Sequence, residues 1–381
     1  MSNINSVTDI PNEIEKIDYV RNLNRKMIKK IDTSDMYQLL TDYGKLIKDA
    51  INRSTSIKNF EHKKIRNIKR SPTKNIIVLG IGGSAMAGEL IKSYLKYLKS
   101  SHKTEITVIR GTELPNDIKK ESFVFCCSYS GNTVETLDAL EKIKKITNNI
   151  VAITSGGKLK EIAEKEGYVL LNVPSGMMPR CAMFYSFFYL LNAMFRFNVI
   201  ENDEKNNIKA TIKEITSFNF CKSLDYSTID NNNIAIILAR FCEKKIPIIY
   251  TGAERLAAVN LRWKAQIQEN ANNLCFGNYF PELNHNEMNS WMYPSDLIEK
   301  FIIIAMKDID DSDESNLAIT NGLELLRDNI HIVEVVVAGK TLLERIVRLI
   351  CLADWFSFYL AIINKTDPTT IPLIEKLKEK K

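Results

Sequence analysis

Two stretches rich in glycine and hydroxyl groups carry the residues best suited to chemistry: Gly80-Ile-Gly-Gly83-Ser84 and Ser128-Tyr-Ser130-Gly131-Asn-Thr133. Each follows a run of β-favouring residues and opens a helical pattern, so each reads as strand, turn and helix start. Such a junction aims backbone N–H groups and the positive end of a helix dipole at one spot, which suits an anion. Ser84, Ser128, Ser130 and Thr133 add hydroxyl donors. Donors of this kind, without a cluster of Lys or Arg, fit a phosphate monoester better than a triphosphate or a nucleic-acid backbone. Three further residues are equipped to act on such a ligand. Arg180 closes the loop Val173-Pro-Ser-Gly-Met-Met-Pro-Arg180, Glu269 ends a helical pattern over 254–271, and His285 lies in Phe280-Pro-Glu-Leu-Asn-His285-Asn-Glu287. A carboxylate, a histidine and an arginine beside a phosphate cradle suit proton transfer next to the carbonyl of a phosphorylated sugar. The carboxylate would carry the proton between adjacent carbons, the histidine would help to open the ring, and the arginine would stabilise the enediolate.

Plainer readings stand beside these. Ser and Thr are good helix N-caps and need no ligand. A Glu near a helix C-terminus and a histidine in a polar loop are commonly solvated, although Glu282, Asn284, Asn286 and Glu287 around His285 could fix its tautomer or raise its pKa. No GK[ST] follows Gly83, which disfavours a triphosphate-hydrolysing loop. Gly80-x-Gly82-x-x-Ala85 can be fitted to a dinucleotide fingerprint with Arg110 as a 2′-phosphate reader, the pattern of an NADP-dependent dehydrogenase. No other cofactor motif stands out, and no Ser or Cys has a partnered base at a spacing that would make it a nucleophile.

The elements that must position these groups follow from patterning. From Lys74 onward strands and helices alternate: 76–79, 106–109, 123–127, 150–154 and 169–173 read as strands with helices between them. After a polar stretch over 201–233, taken as a linker, the alternation resumes with strands at 234–238, 246–251, 301–306 and 332–337 and a long helix over 341–363. Alternation of this kind implies parallel sheets with helices on both faces, with ligands beyond the carboxyl ends of the strands. The second unit repeats the strand-turn-helix plan at Tyr250-Thr-Gly-Ala-Glu254, but Glu254 would oppose a phosphate there, so only the first unit is expected to bind the anion. Residues 1–70 read as a helical packing layer over the first unit, and the acidic stretch Asp308–Glu314 as a surface loop.

Bulk properties narrow the class. The 381 residues are 45% hydrophobic with a net charge of +6, a mild excess spread over solvated runs and not a nucleic-acid patch. The polar start shows no secretory pattern, and the apolar runs 181–195 and 346–363 are too short or carry Arg348 and Asp354, so no membrane span is expected. Seven cysteines with no CxxC spacing read as reduced core thiols of a cytoplasmic protein, with no disulfide framework and no metal site.

In order along the chain, Gly80–Ser84, Ser128–Thr133, Pro174–Arg180, Gln266-Ile-Gln-Glu-Asn270, Pro281–Glu287, Asp367-Pro368 and Ile374–Lys378 resemble the motifs of the bifunctional phosphoglucose/phosphomannose isomerases of the sugar isomerase (SIS) superfamily. The resemblance covers roughly 36–381. It implies an α/β fold of two SIS-type, doubly wound, flavodoxin-like parallel-sheet subdomains. These would be a first SIS domain at 71–200 and a second at 234–365, preceded by an N-terminal helical segment and followed by a C-terminal helix at 366–381. It implies a glucose 6-phosphate, and by extension mannose 6-phosphate, isomerase that needs no cofactor or metal. Gly83, Ser84, Ser128, Ser130 and Thr133 would bind phosphate, Glu269 would be the base for transfer between C1 and C2, and Arg180 would stabilise the enediolate. His285 would open the ring from the neighbouring subunit of an obligate homodimer. A lysine of the terminal helix would face the substrate, Lys378 fitting best and Lys376 second. SIS units also serve as non-catalytic sugar-phosphate-binding regulators, the alternative from another functional class.

Overall fold

The computed structural model describes residues 23–56, 75–98, 104–217, 220–227 and 233–380, with the side chains of 202, 203, 378 and 379 outside the description. These residues form two compact units: Lys45–Thr216, and the described parts of Met1–Gly44 with Ser217–Lys381.

The chain opens with α1 (Arg25–Ile31), α2 (Met36–Thr41) and α3 (Tyr43–Ser56), and α3 leads into the first unit. That unit continues with β1 (Asn75–Leu79), α4 (Gly83–Lys96), β2 (Glu105–Ile109), β3 (Phe123–Cys127), α5 (Val134–Ile143), β4 (Ile150–Thr154), α6 (Gly157–Glu166), β5 (Val169–Asn172), α7 (Met183–Arg196) and α8 (Asn202–Ser217). Its five strands are all parallel in the order β2-β1-β3-β4-β5, the flavodoxin-like arrangement. Every residue of β3 and β4 is buried, which explains why these strands read as unbroken apolar runs and not as alternating ones. One layer packs Ala139, Leu140 and Ile143 of α5 and Leu159 and Ala163 of α6 onto Ile77, Val124 and Ala152.

The other unit contains α9 (Phe220–Ser223), α10 (Ile234–Phe241), β6 (Ile246–Gly252), α11 (Ala257–Asn270), β7 (Phe276–Phe280), α12 (Leu283–Asn286), a 3-10 turn (Met288–Met292), α13 (Ser295–Ile298), β8 (Phe301–Met306), α14 (Asp313–Leu326), β9 (Ile332–Val335), α15 (Leu342–Ile363) and α16 (Pro372–Glu379). Its four parallel strands run in the order β7-β6-β8-β9. All 22 residues of α15 are buried, and α10 and α11 pack against it. By length and composition α15 could cross a membrane, but its charges have partners within the unit: Arg348 bonds Glu344 at 2.6 Å and Asp354 bonds Arg262 at 3.0 Å.

The structure departs from the sequence expectations at several elements. Residues 234–238 are helical, not a strand. A short run of buried Ile, Ala and Leu has no period that separates the two states. Asn233 settles it by capping α10, its side-chain oxygen accepting from the amides of Ala235 (3.1 Å) and Ile236 (3.2 Å). Strand β7 went unread because Gly277 and Asn278 are poor strand formers, tolerated here on a half-exposed edge. The stretch taken as a linker carries α8 and α9, with Ile208, Thr211 and Ile215 of α8 buried at helical spacing. Helices α1 and α2 pack on α15 in the unit of the second sheet, whereas most of α3 belongs to the first unit, where Tyr185 of α7 donates to Asp49 at 2.7 Å. Tyr37 donates to Asp225 at 2.9 Å and Thr33 bonds Asp367 at 2.5 Å. The remainder of the expected N-terminal layer, 1–22 and 57–70, lies outside the described residues. All seven cysteines are buried free thiols.

Candidate active site

In the unit Lys45–Thr216, strand order reverses between β1 and β3, where the connection from β1 runs one way and that from β3 the other. At that point a ligand crevice is expected beyond the strands' carboxyl ends. Leu79 pairs with Cys126 across the two strands, so Gly80–Ser84 and Ser128–Thr133 emerge side by side. Neither helix that follows has a side-chain cap: Gly82 at φ +57° precedes α4, and Thr133 precedes α5 without bonding its amides. The Thr133 hydroxyl instead lies 2.9 Å from that of Ser128, which also accepts from the Gly131 amide at 3.1 Å. Ser130 accepts from the Asn132 amide at 3.3 Å and is exposed, Ser84 and Thr133 are half-buried, and Ser128 is buried.

Gly131 is required here. At φ +71° its backbone is left-handed, and an added Cβ would stand 1.8 Å from the Gly156 carbonyl oxygen.

The third predicted component is in the same unit. A Cβ on Gly83 would lie 3.2 Å from both Arg180 Cα and the Pro179 carbonyl oxygen, so the first turn touches the start of the α7 segment. Arg180 is 4% exposed. Tyr129, which sequence reading passed over as the middle of a serine motif, ties this loop to the second turn. Its hydroxyl donates to the Pro174 carbonyl at 3.1 Å and accepts from the Met177 amide at 2.8 Å. Burial raises the Tyr129 phenol above its ordinary pKa, so it stays protonated and able to do both. Arg110, the possible dinucleotide reader, is paired with Glu89 at 2.8 Å.

Glu269 and His285 belong to the other unit. Glu269 is half-buried in the last turn of α11. Arg262, Gln266 and Asn270 lie four residues apart on one face of that helix, and they set its rotation against α15. Arg262 and Gln266 donate to Asp354, and Asn270 donates to Ser357 Oγ at 2.9 Å. His285 is exposed on α12, beyond the carboxyl end of β7. The flanking Glu287 does not turn to the imidazole: its carboxylate accepts from Tyr250 Oη and Asn278 Nδ2.

Along one chain, Glu269 precedes the amino end of β7 and His285 follows its carboxyl end. Just after α11, Asn273 bonds the Lys245 carbonyl at the amino end of β6 (3.1 Å), whereas His285 follows the opposite end of β7. The five residues of β7 separate those ends by about 13 Å at the usual strand rise. Lys376 is exposed on α16, and the side chain of Lys378 lies outside the description. Among the described residues no group of three or more His, Cys, Asp or Glu could hold a metal ion.

At the corresponding position of the second sheet, carboxylates stand where the first has hydroxyls. Arg345 donates to both oxygens of Asp308 at 2.7 Å and to Asp310 at 2.5 Å, and Arg255 stands 3.8 Å from Asp311. The stretch expected as a surface loop therefore has two buried members, Asp308 and Asp311, because a buried guanidinium and backbone amides draw them inward.

Residues 71–188 match the model of the SIS domain, and residues 231–380 match that of the bacterial phospho-glucose isomerase C-terminal SIS domain. The bifunctional phosphoglucose/phosphomannose isomerase of Caldicellulosiruptor bescii is 33% identical, over 82% of this chain and 91% of that one. The chain belongs to this family of sugar-phosphate isomerases. The Aquifex aeolicus member is 31% identical over 81% of this chain and 91% of its own, and a D-glucosamine-6-phosphate 4-epimerase of Sulfolobus acidocaldarius is 31% identical over 81% and 89%. Among solved structures, the C-terminal domain of glucosamine-fructose-6-phosphate aminotransferase from Francisella tularensis aligns with a TM-score of 0.68. It covers 88% of this chain and 98% of that one at 18% identity, a likeness of fold. The two SIS-type parallel sheets and the family thus agree with the sequence reading.

Proposed function

We propose that this protein interconverts glucose 6-phosphate, and with it mannose 6-phosphate, with fructose 6-phosphate by metal-free proton transfer through a cis-enediolate. The observation that carries this reading is the meeting, within one unit, of two hydroxyl-bearing turns and the Arg180 loop at the switch point of the first sheet. The phosphate is bound by the Gly83 turn and the hydroxyls of Ser84, Ser128, Ser130 and Thr133, with two uncapped helix starts adding amide donors. Glu269 removes the C2 proton of the open-chain aldose and returns it to C1. Arg180 holds the charge that develops on the two oxygens between those steps. His285 passes a proton between the hydroxyl at C1 and the ring oxygen to open the ring, and Lys378 is the lysine assigned to the substrate by the family resemblance.

The opposite placement of Glu269 and His285 on the second sheet favours a homodimer in which a second copy supplies the histidine, because both groups must come within hydrogen-bond reach of one sugar. On this reading the phosphate-binding domain is 71–200 and the domain bearing Glu269 and His285 is 234–365.

The test is a coupled assay of fructose 6-phosphate formation from glucose 6-phosphate and from mannose 6-phosphate. Glu269→Gln is expected to keep sugar-phosphate binding and to lose about 10²–10⁴-fold in kcat, the usual contribution of a positioned base. Undiminished turnover in that variant would sink the assignment. Conversion of glucosamine 6-phosphate to its C4 epimer, with no aldose–ketose turnover, would point to the epimerase chemistry named for the Sulfolobus relative.

A further inference from the structure

We propose that Glu287 is a positioning residue that fixes the aim of His285, acting through the backbone of α12. The inference rests on the reading of His285 as an acid/base group. Helix α12 has four residues, far too few to hold a helical conformation unaided, so its direction must be imposed from outside. The imidazole of His285 is exposed and makes no hydrogen bond among the described residues, so the backbone beneath it sets where it points.

Anchors grip that backbone on both sides. Before His285, the fully buried Leu283 packs in the cluster of Tyr250, Phe280 and Trp291, and the Asn284 amide donates to the Ala318 carbonyl at 3.0 Å. After it, the Glu287 carboxylate ties the segment to the sheet: it accepts from Tyr250 Oη of β6 and from Asn278 Nδ2 of β7. Tyr250 is itself held, because Trp291 Nε1 donates to its hydroxyl at 2.9 Å. Burial and the adjacent Glu287 raise the Tyr250 phenol well above its ordinary pKa, which keeps it a donor. The bonds are charge-assisted, and the acceptor must be a carboxylate: in Glu287→Gln one oxygen is replaced by an NH2 group, which cannot accept from both donors. Loss of these ties leaves α12 attached by Leu283 and Asn284 but free to swing on its far side. Displacement of an acid/base group by about 1 Å can cost on the order of 10²-fold in rate.

The test is a double-mutant cycle on the full-length protein with glucose 6-phosphate as substrate. Glu287→Gln is expected to lower kcat about ten-fold or more, with KM changed less than two-fold. The same substitution made in His285→Ala is expected to cost nothing further, since no imidazole remains to be aimed. Equal losses with and without the imidazole, or an undiminished kcat in Glu287→Gln, would overturn the proposal while leaving the role of His285 standing. A fully active His285→Ala would instead overturn the reading of the histidine on which the proposal rests. Should Glu287→Gln fail to fold, Tyr250→Phe carries the same cycle, since it removes the hydrogen bond to Glu287, together with the one from Trp291, and leaves the carboxylate in place.

Discussion

Asp354 has no exposed surface, yet it accepts from Arg262 at 3.0 Å, from Tyr43 at 2.5 Å and from Gln266. A buried carboxylate is tolerable only with such partners, and two of them, Arg262 and Gln266, come from α11, whose last turn carries Glu269. Truncating Asp354 to Ala leaves Arg262 buried without its counter-ion. The expected result in urea-induced unfolding is a loss of about 3–5 kcal/mol. A loss below about 1 kcal/mol would mean that other groups compensate the guanidinium, and that Asp354 does not govern the rotation of α11. In the sequence Asp354 is only a charge that argues against a membrane span, because Arg262 lies 92 residues away and pairing over that separation leaves no local mark. The residues of the two turns were legible for the opposite reason. A tight strand-to-helix turn that exposes its amides demands Gly at positions such as Gly131 and hydroxyls beside them, and those demands fall within six consecutive residues.

Elements were legible where burial on both faces makes a strand uniformly apolar, as in β3, β4 and β8, whose ends match the sequence reading. They were illegible where a long-range partner decides the outcome. The Asp308–Glu314 stretch has the composition of a solvated loop, and only Arg345, 37 residues on, turns Asp308 inward. Asp311 follows it into the interior, where desolvation lifts its pKa from 3.8 to about 6, against the opposing pull of the Asp308 amide and Arg255. A raised carboxylate pKa means that between pH 4 and 6 the folded chain holds this proton more tightly than the unfolded chain does. The contribution of Asp311 to stability therefore falls as pH rises through that window, and stays unfavourable above it. Asp311→Asn keeps an acceptor for the Asp308 amide and removes the charge. It is expected to raise the unfolding free energy by about 2–3 kcal/mol at pH 8 and to change it little at pH 4. Urea titrations of both proteins at the two pH values measure this. A variant destabilised equally at both would show that the Arg255 pair outweighs the desolvation.

At the scale of the whole molecule, the alternation of strands and helices was enough to read two parallel sheets, because each βαβ crossover leaves its period in the sequence. Assembly leaves no such period, and here it must be reasoned from geometry. Glu269 lies in the last turn of α11, which Gln268 ties to the Cys275 carbonyl just before β7 at 2.8 Å, while His285 follows the far end of that strand. That strand length between one chain's base and its own histidine favours the proposed arrangement, in which a second copy supplies the histidine. If a second copy supplies the histidine, each site of the dimer uses Glu269 from one chain and His285 from the other. Glu269→Gln and His285→Ala homodimers are then both impaired at every site. A heterodimer of the two variants has one site with both defects and one with neither, as the symmetry of a two-fold assembly requires. Isolated by two different affinity tags, that heterodimer is expected to recover about half the wild-type activity per dimer. If both groups came from the same chain, every site in the heterodimer would lack one of them, and its activity would stay at the level of the single variants.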